Sequence, residues 1–244
     1  MTNELKRYLK NKKNLEDAFL YNPGHEHDSC GVGFVASTDG KQRREVVQGG
    51  IDALKAVWHR GAVDADGKTG DGAGILTQIP YNFFDDEIAK TGHEKRDETL
   101  GIGMMFLPRN DYAALEKCRT IIESELLDHG YYIYGWRQVP INNSVIGEKA
   151  NSTRPEIEQV MFVNNIERDK DFDFAKELYL VRRRLEKRIA KQQINGFYVC
   201  SLGFESIIYK GLFLAEQLSI FYPDLANEEF ISSFAVFHQR YSTN

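Results

Sequence analysis

The stretch "DSCGVGF" sets a cysteine, Cys30, between a serine and the start of a Gly-Val-Gly run. A thiol in that place can be a buried small hydrophobe, a metal ligand, half of a disulfide, or a nucleophile. The preceding residues extend the metal option, because "HEHDSC" brings His25, His27, Asp28 and Cys30 within six positions. A closed structural zinc site draws four ligands from two separated clusters. No second cluster follows, since His59, His93, His129 and His238 are scattered singly. The glycine-rich "GDGAG" at 70–74 has the look of a phosphate cradle, but it lacks the Gly-Lys-Ser/Thr ending and precedes a strand-like run instead of a helix. Its glycines are read as permitting tight turns and close backbone approach. Two arginines complete the candidates: Arg60 in "WHRGA" and Arg240 in "FHQRYST". Each is either a surface or salt-bridged residue, or a planar guanidinium that grips a carboxylate in bidentate fashion.

The other cysteines carry less. Cys118 falls on the apolar face of a helical pattern and Cys200 within an apolar strand pattern, where free cysteine behaves as a small hydrophobe. Cys30 differs because it stands where a polar arm meets the globular body. If the arm were cut away, its own α-amino group would lie beside its thiol. That amine, with an intrinsic pKa of about 7.7–8.0, can take the thiol proton near neutral pH and hand it to a leaving ammonia. Nucleophile and base would then be one residue.

Positioning such a group needs a folded core, and the composition supplies one. The 244 residues are 42% hydrophobic and 12% aromatic, enough for one large domain. Lys and Arg number 31 against 36 Asp and Glu, for a net charge of −5. That balance argues against nucleic acid as a partner. The first twenty residues mix both charges with no apolar core of a signal peptide. No later run approaches the roughly 18 apolar residues of a membrane span. Three unpaired cysteines suit a reducing cytoplasm.

Residues 1–24 are lysine-rich, allow one short amphipathic helix, and end near an Asn-Pro-Gly turn. "CGVGFVAS" alternates Val32, Phe34 and Ala36 with small residues and predicts a strand buried on at least one face. In "VVQGGIDALKAVWHRG", Ile51, Leu54, Val57 and Trp58 recur at helical spacing, with Gly61 placed as a left-handed C-terminal cap. "ILTQIP" and "LGIGMMFLP" predict strands. Asp111 as N-cap and Gly130 as C-cap bound a helix whose buried face holds Leu115, Cys118, Ile122 and Leu126. "YYIYGWRQVP" and "IEQVMFV" predict strands, and "FDFAKELYLVRRRLEKRIAKQQ" a long amphipathic helix with a basic, solvated face. "GFYVCSLG", "SIIYKG" and "EEFISSFAVFHQRYST" predict strands, with a short helix at "LFLAEQLSIF". Strands in neighbouring pairs separated by helices indicate an α+β fold with sheets that are at least partly antiparallel. The loaded strand that stops at Asn244 leads us to expect a piece of a longer chain.

The strings "CGVGF", "HRGAVDADGKTGDGAG", "FYVCSL", "YKG", "FYPDL" and "FAVFHQRYSTN", in this order, closely resemble the amino-terminal class II glutamine amidotransferase domain of glutamate synthase large subunits. The resemblance runs from about Asp28 to the last residue. It implies an N-terminal-nucleophile αββα four-layer sandwich, incomplete here. It implies a propeptide, residues 1–29, removed at the Ser29–Cys30 bond to leave a domain of residues 30–244. Cys30 is then expected to attack the side-chain amide of L-glutamine, with its free amine as base. Arg240 matches the arginine that holds the α-carboxylate, Arg60 an orienting position beside the nucleophile, and Gly31 a position kept bare next to the substrate. The family's Asn-Gly oxyanion pair and an acidic amine-binding residue are expected beyond Asn244. Each missing oxyanion donor costs about 2.7–4 kcal/mol of transition-state stabilisation, so the isolated segment is expected to be inactive or poorly active. No metal and no cofactor are expected in this segment. FMN and a 3Fe-4S cluster are implied for the parent's synthase domains, which would use the ammonia to aminate 2-oxoglutarate. A small reductase subunit or ferredoxin is implied as electron-delivering partner, and the cytoplasm, or the plastid stroma for a plastid-type parent, as location. The competing reading is a non-catalytic regulatory or interaction domain that keeps the amidotransferase fold.

Overall fold

The structure, a computed structural model, describes residues 3–18, 31–169 and 171–240. The chain divides into two compact units, Met1–Cys30 and Gly31–Asn244. In the first unit the short helix expected of the polar arm is α1 (Asn3–Asp17).

The second unit is built on two four-stranded sheets. In the first, β1 (Gly31–Ala36) pairs with β8 (Phe234–Gln239), β8 with β2 (Ala73–Gln78), and β2 with β7 (Ser206–Gly211). In the second, β4 (Tyr131–Gln138) pairs with β5 (Glu156–Asn164), β5 with β3 (Leu100–Leu107), and β3 with β6 (Tyr198–Gly203). All of these ladders are antiparallel, as the α+β pattern suggested.

Helices cover both sheets. α2 (Arg44–Ala56) lays Val46, Val47, Ile51 and Leu54 into a core shared with Ile75, Tyr209, Ala235 and Phe237 of the first sheet and Ile102, Met104 and Met161 of the second. α3 (Tyr81–Lys90), which the sequence pattern did not announce, adds Phe83, Phe84 and Ile88 to the same core. A second core lies between the other face of the second sheet and two longer helices, α4 (Tyr112–Asp128) and α6 (Phe174–Lys191). α4 begins where the Asp111 carboxylate accepts the Ala114 N–H at 2.9 Å, and it stops at Gly130, whose φ of 78° only glycine adopts without strain. Its Leu115, Cys118, Ile122 and Leu126 meet Leu178, Val181, Leu185 and Ile189 of α6. Each such side chain contributes about 1.5–3 kcal/mol on burial. The basic face of α6 is partly paired: Arg188 reaches Glu125 at 2.7 Å and Arg182 reaches Glu186 at 2.9 Å.

Three local expectations are corrected. β1 is a strand, but Val32 and Phe34 are 62% and 74% exposed and Ala36 is exposed too. The glycines face inward, because a Cβ on Gly33 would sit 2.4 Å from the Phe237 ring, so the bulk on the covered side comes from β8. Gly61 is not a left-handed cap: its φ of −86° and ψ of 153° are extended, and the chain leaves α2 through the 3-10 turn Trp58–Arg60. The last strand is shorter than its pattern, since the chain before it is held by an isolated bridge between Arg43 and Ser232.

One buried ionic network spans both sheets. Arg137 on β4 donates to Asp224 Oδ1 and Oδ2 at 2.8 and 2.7 Å, to Gln159 Oε1 on β5 at 2.9 Å, and to Glu87 Oε2 on α3 at 2.7 Å. Tyr209 on β7 donates to Asp224 at 2.8 Å. All four guanidinium contacts are satisfied, which is the condition under which a buried charge is tolerated.

The loop between α2 and β2 is organised by Asp66. Its carboxylate accepts the Thr69 hydroxyl at 2.5 Å and the Thr69 and Lys68 N–H groups at 2.7 and 2.9 Å. These bonds, the Thr69 hydroxyl foremost, hold its pKa at about 2. Gln217 fastens the same loop by donating to Lys68 O at 3.0 Å and Val145 O at 2.7 Å. α5 (Glu148–Thr153) packs beside it, with the Ala150 N–H donating to Thr69 Oγ1 at 3.3 Å.

Two outcomes are expected. Arg137→Met leaves Asp224 and Glu87 buried without their cation, and urea denaturation should show a loss of about 3–5 kcal/mol. The Asp66 contribution exists while its carboxylate is ionised in the fold; it is complete above the ordinary 3.8 and fades as pH falls toward about 2. Hydrogen exchange at the Thr69 amide should therefore stay protected at pH 4 and lose protection in Asp66→Asn at the same pH.

Candidate functional site

The candidate residues meet at the start of β1. Gly31 is its first residue and pairs with Gln239, the last residue of β8. This approach admits no side chain: a Cβ on Gly31 would stand 2.7 Å from the Gln239 carbonyl and 3.1 Å from the Cβ atoms of both Arg60 and Gln239. Arg60 closes the 3-10 turn that follows α2, its N–H donating to Val57 O at 2.9 Å. So Gly31 and Arg60, more than 25 residues apart, adjoin directly, and Arg240 follows the partner of Gly31 in the chain. Ser29 and Cys30 lie outside the described residues, as do His25, His27 and Asp28 of the candidate metal cluster. The peptide bond alone keeps the Cα of Cys30 about 3.8 Å from that of Gly31.

Arg240 has an unusual backbone. Its φ of 94° lies outside the conformations ordinary side chains prefer, and its N–H donates to Gly72 O at 2.6 Å. That bond ties the end of β8 to the "GDGAG" loop, which serves as a close-approach loop, as its glycines suggested. The guanidinium Nε stands 3.8 Å from Asp71 Oδ2, with the arginine side chain more than half exposed. It is placed to meet a ligand from solvent with an acidic neighbour at its side.

Sequence reasoning missed four polar groups here. Gln239 is 2% exposed, and neither its Oε1 nor its Nε2 has a hydrogen-bond partner. Leaving such an amide unpaired costs about 1–3 kcal/mol. Gly61 explains how it fits: a Cβ there would stand 2.0 Å from Gln239 Nε2. Asp71 Oδ1 is likewise buried and unpaired. Asp71 lines a cavity of about 660 Å³ together with Gly72, His238, Lys210, Arg154, Phe213 and Tyr222. Burial first, and the Lys210 charge second, lower the His238 pKa, so its ring stays neutral at physiological pH. Lys210 donates to the Tyr198 hydroxyl at 2.8 Å. Arg154 Nε is buried without a partner. The adjacency of Gln239 to Arg240 was the signal for the first; a lone aspartate among glycines was the signal for the second. His238 and Lys210 gave none.

The two described cysteines are poor nucleophiles. Burial pushes the Cys118 thiol up to about 11 and the Cys200 thiol up to about 12. Among the described residues no group of three His, Cys, Asp or Glu side chains could hold a metal ion. No helix among them is long and apolar enough to cross a membrane.

Comparison with known proteins accounts for this corner. The family model for class-II glutamine amidotransferases matches residues 30–244. The chain is 61% identical over 230 residues to the NADPH glutamate synthase large chain of Azospirillum brasilense, covering 94% of this chain and 15% of that protein. It is 40% identical over 233 residues to the chloroplastic ferredoxin-dependent glutamate synthase of Spinacia oleracea, covering 95% and 14%. It is 37% identical over 225 residues to the NADPH glutamate synthase large chain of Bacillus subtilis, covering 92% and 15%. The chain thus spans about 15% of the length of these relatives. The family match opens at Cys30, immediately before the Gly31–Gln239 corner, and the chain belongs to the class-II glutamine amidotransferases.

Proposed function

We propose that this chain is the glutamine-hydrolysing part of a glutamate synthase, working through an N-terminal cysteine exposed when residues 1–29 are removed at the Ser29–Cys30 bond. The observation that carries the reading is the convergence of Gly31, Arg60 and the β8 end that bears Arg240 at the point where the family match starts. Residues 30–244 form the working domain on this reading.

The chemistry follows from the groups. The free α-amine of Cys30 takes the thiol proton, and the thiolate attacks the carboxamide carbon of glutamine. The resulting tetrahedral adduct collapses as the ammonium returns a proton to the departing nitrogen, the C–N bond breaks, and a glutamyl thioester and ammonia remain. Water, its proton taken by the same amine, attacks the thioester; the C–S bond breaks, releasing glutamate and restoring the thiol. Arg240 supplies the guanidinium for the substrate α-carboxylate. Arg60 orients the reacting end from its place beside Gly31. The cavity at Asp71, Lys210, Arg154 and His238 presents charges of both signs, which suits a zwitterionic amino acid.

The ammonia is passed to the synthase domains of the parent, where bound FMN and a 3Fe-4S cluster support reductive amination of 2-oxoglutarate. Electrons reach them through a small reductase subunit or ferredoxin. None of the described residues offers those groups a site, so no step here runs through them.

A diazo-ketone analogue of glutamine should alkylate the full-length enzyme once, at Cys30, and Cys30→Ala should abolish both labelling and glutaminase turnover. Stoichiometric labelling of the alanine variant would refute the assignment. A processed enzyme with no glutaminase turnover would favour the non-catalytic reading. Arg240→Lys, which keeps the charge and loses the bidentate fork, should raise KM for glutamine about 10–100-fold with a smaller change in kcat.

A further inference from the structure

Gln239 is the one feature of this corner that the reaction above leaves unused. Its amide is 2% exposed, and both polar atoms are buried without partners. It is also sculpted for: Gly61 must lack a side chain because a Cβ would stand 2.0 Å from Nε2, and Gly31 must lack one because a Cβ would stand 3.1 Å from the Cβ of Gln239. A purely structural buried amide finds partners in its own fold, as Gln159 does with Arg137 and Tyr209 and Gln217 does with Lys68 and Val145. Gln239 alone of these three keeps both ends of its amide open, and it does so opposite the residue bonded to Cys30.

We propose that Gln239 is a positioning residue for the nucleophile, its Oε1 accepting an N–H of the α-amino group that cleavage before Cys30 creates. This rests on the N-terminal-cysteine reading. The amine must keep its lone pair turned toward the thiol to act as base, and one fixed acceptor on another N–H leaves that lone pair free. When the amine takes the thiol proton the bond becomes charge-assisted and strengthens. The uncleaved chain has a peptide nitrogen at that place, and the amide then waits unpaired.

The charged surroundings are mixed. Arg60 on the turn after α2 and Arg240 at the end of β8 disfavour an ammonium, whereas Asp71 in the loop before β2 favours it; His238 on β8 is held neutral, and Lys210 on β7 lies beside it. Gln239 supplies the neutral acceptor among them.

The test uses the full-length enzyme with residues 2–29 deleted, so that removal of the initiator methionine exposes Cys30 in every variant. Gln239→Met keeps the volume and removes an unpaired amide, so its thermal midpoint should match or exceed that of the parent. Its glutaminase kcat should fall about 10–100-fold with KM for glutamine within about 3-fold. The acid limb of its pH–rate profile should move to lower pH by about half a unit to one unit, since the ammonium has lost its acceptor. Gln239→Glu, which keeps the acceptor and adds charge, should move the same limb to higher pH. Limbs that coincide with the parent in both variants, or losses that track the thermal midpoint alone, would overturn the role of Gln239. Turnover that survives Cys30→Ala in the same background would instead overturn the reading on which it rests.

Discussion

The pairing of β1 with β8 at its first rung is the constraint on which the site depends. Two backbones approach so closely at Gly31 and Gln239 that the entering residue cannot bear a side chain. The bulk that β1 forgoes is supplied across the ladder by Phe237, against Gly33, and by Gln239, against Gly31 and Gly61. Arg60 and Arg240 come to the same corner because each is bonded to a residue held by that approach. Geometry that elsewhere needs side-chain packing is set here by main chain.

What keeps the rung in place lies deeper. α2 covers the first sheet with Val47, Ile51 and Leu54, and the Arg137–Asp224 pair joins β4 to the turn at Pro223–Ala226 while Tyr209 of β7 hydrogen-bonds the same aspartate. The two sheets are thereby held through one satisfied ionic cluster as well as through apolar contact. The loop fixed by Asp66 and Gln217 delivers Gly72, whose carbonyl receives the Arg240 N–H. A rigid interior therefore supports a backbone conformation at Arg240 that would not persist in an isolated strand.

Much of this was readable from residue order. The caps at Asp111 and Gly130 and the 3.6-residue rhythm of Leu115, Cys118, Ile122 and Leu126 defined α4, because caps and amphipathic faces are local signals. The arginines of the site were readable only through family resemblance, since spacing says nothing about which distant segments adjoin. The inward face of β1 was misread because alternation marks Val32 and Phe34 as the apolar side, while the fold needs its glycines inside. Gly61 resembled a cap for a similar reason: its place after a helix is visible in the sequence, and its contact with Gln239, 178 positions on, is not. The unpaired state of the Gln239 amide is a property of packing alone. Val32, Phe34 and Val236 leave an exposed apolar stripe on the first sheet that no pattern distinguished from a buried one.

The nucleophile assignment turns on whether position 30 becomes a chain terminus. Intact-mass analysis with N-terminal sequencing of catalytically active full-length enzyme decides it. A mature chain that begins Cys-Gly-Val-Gly is the predicted result, with the thiol and its amine on one residue. Active enzyme that retains residues 1–29 would contradict an N-terminal cysteine mechanism outright.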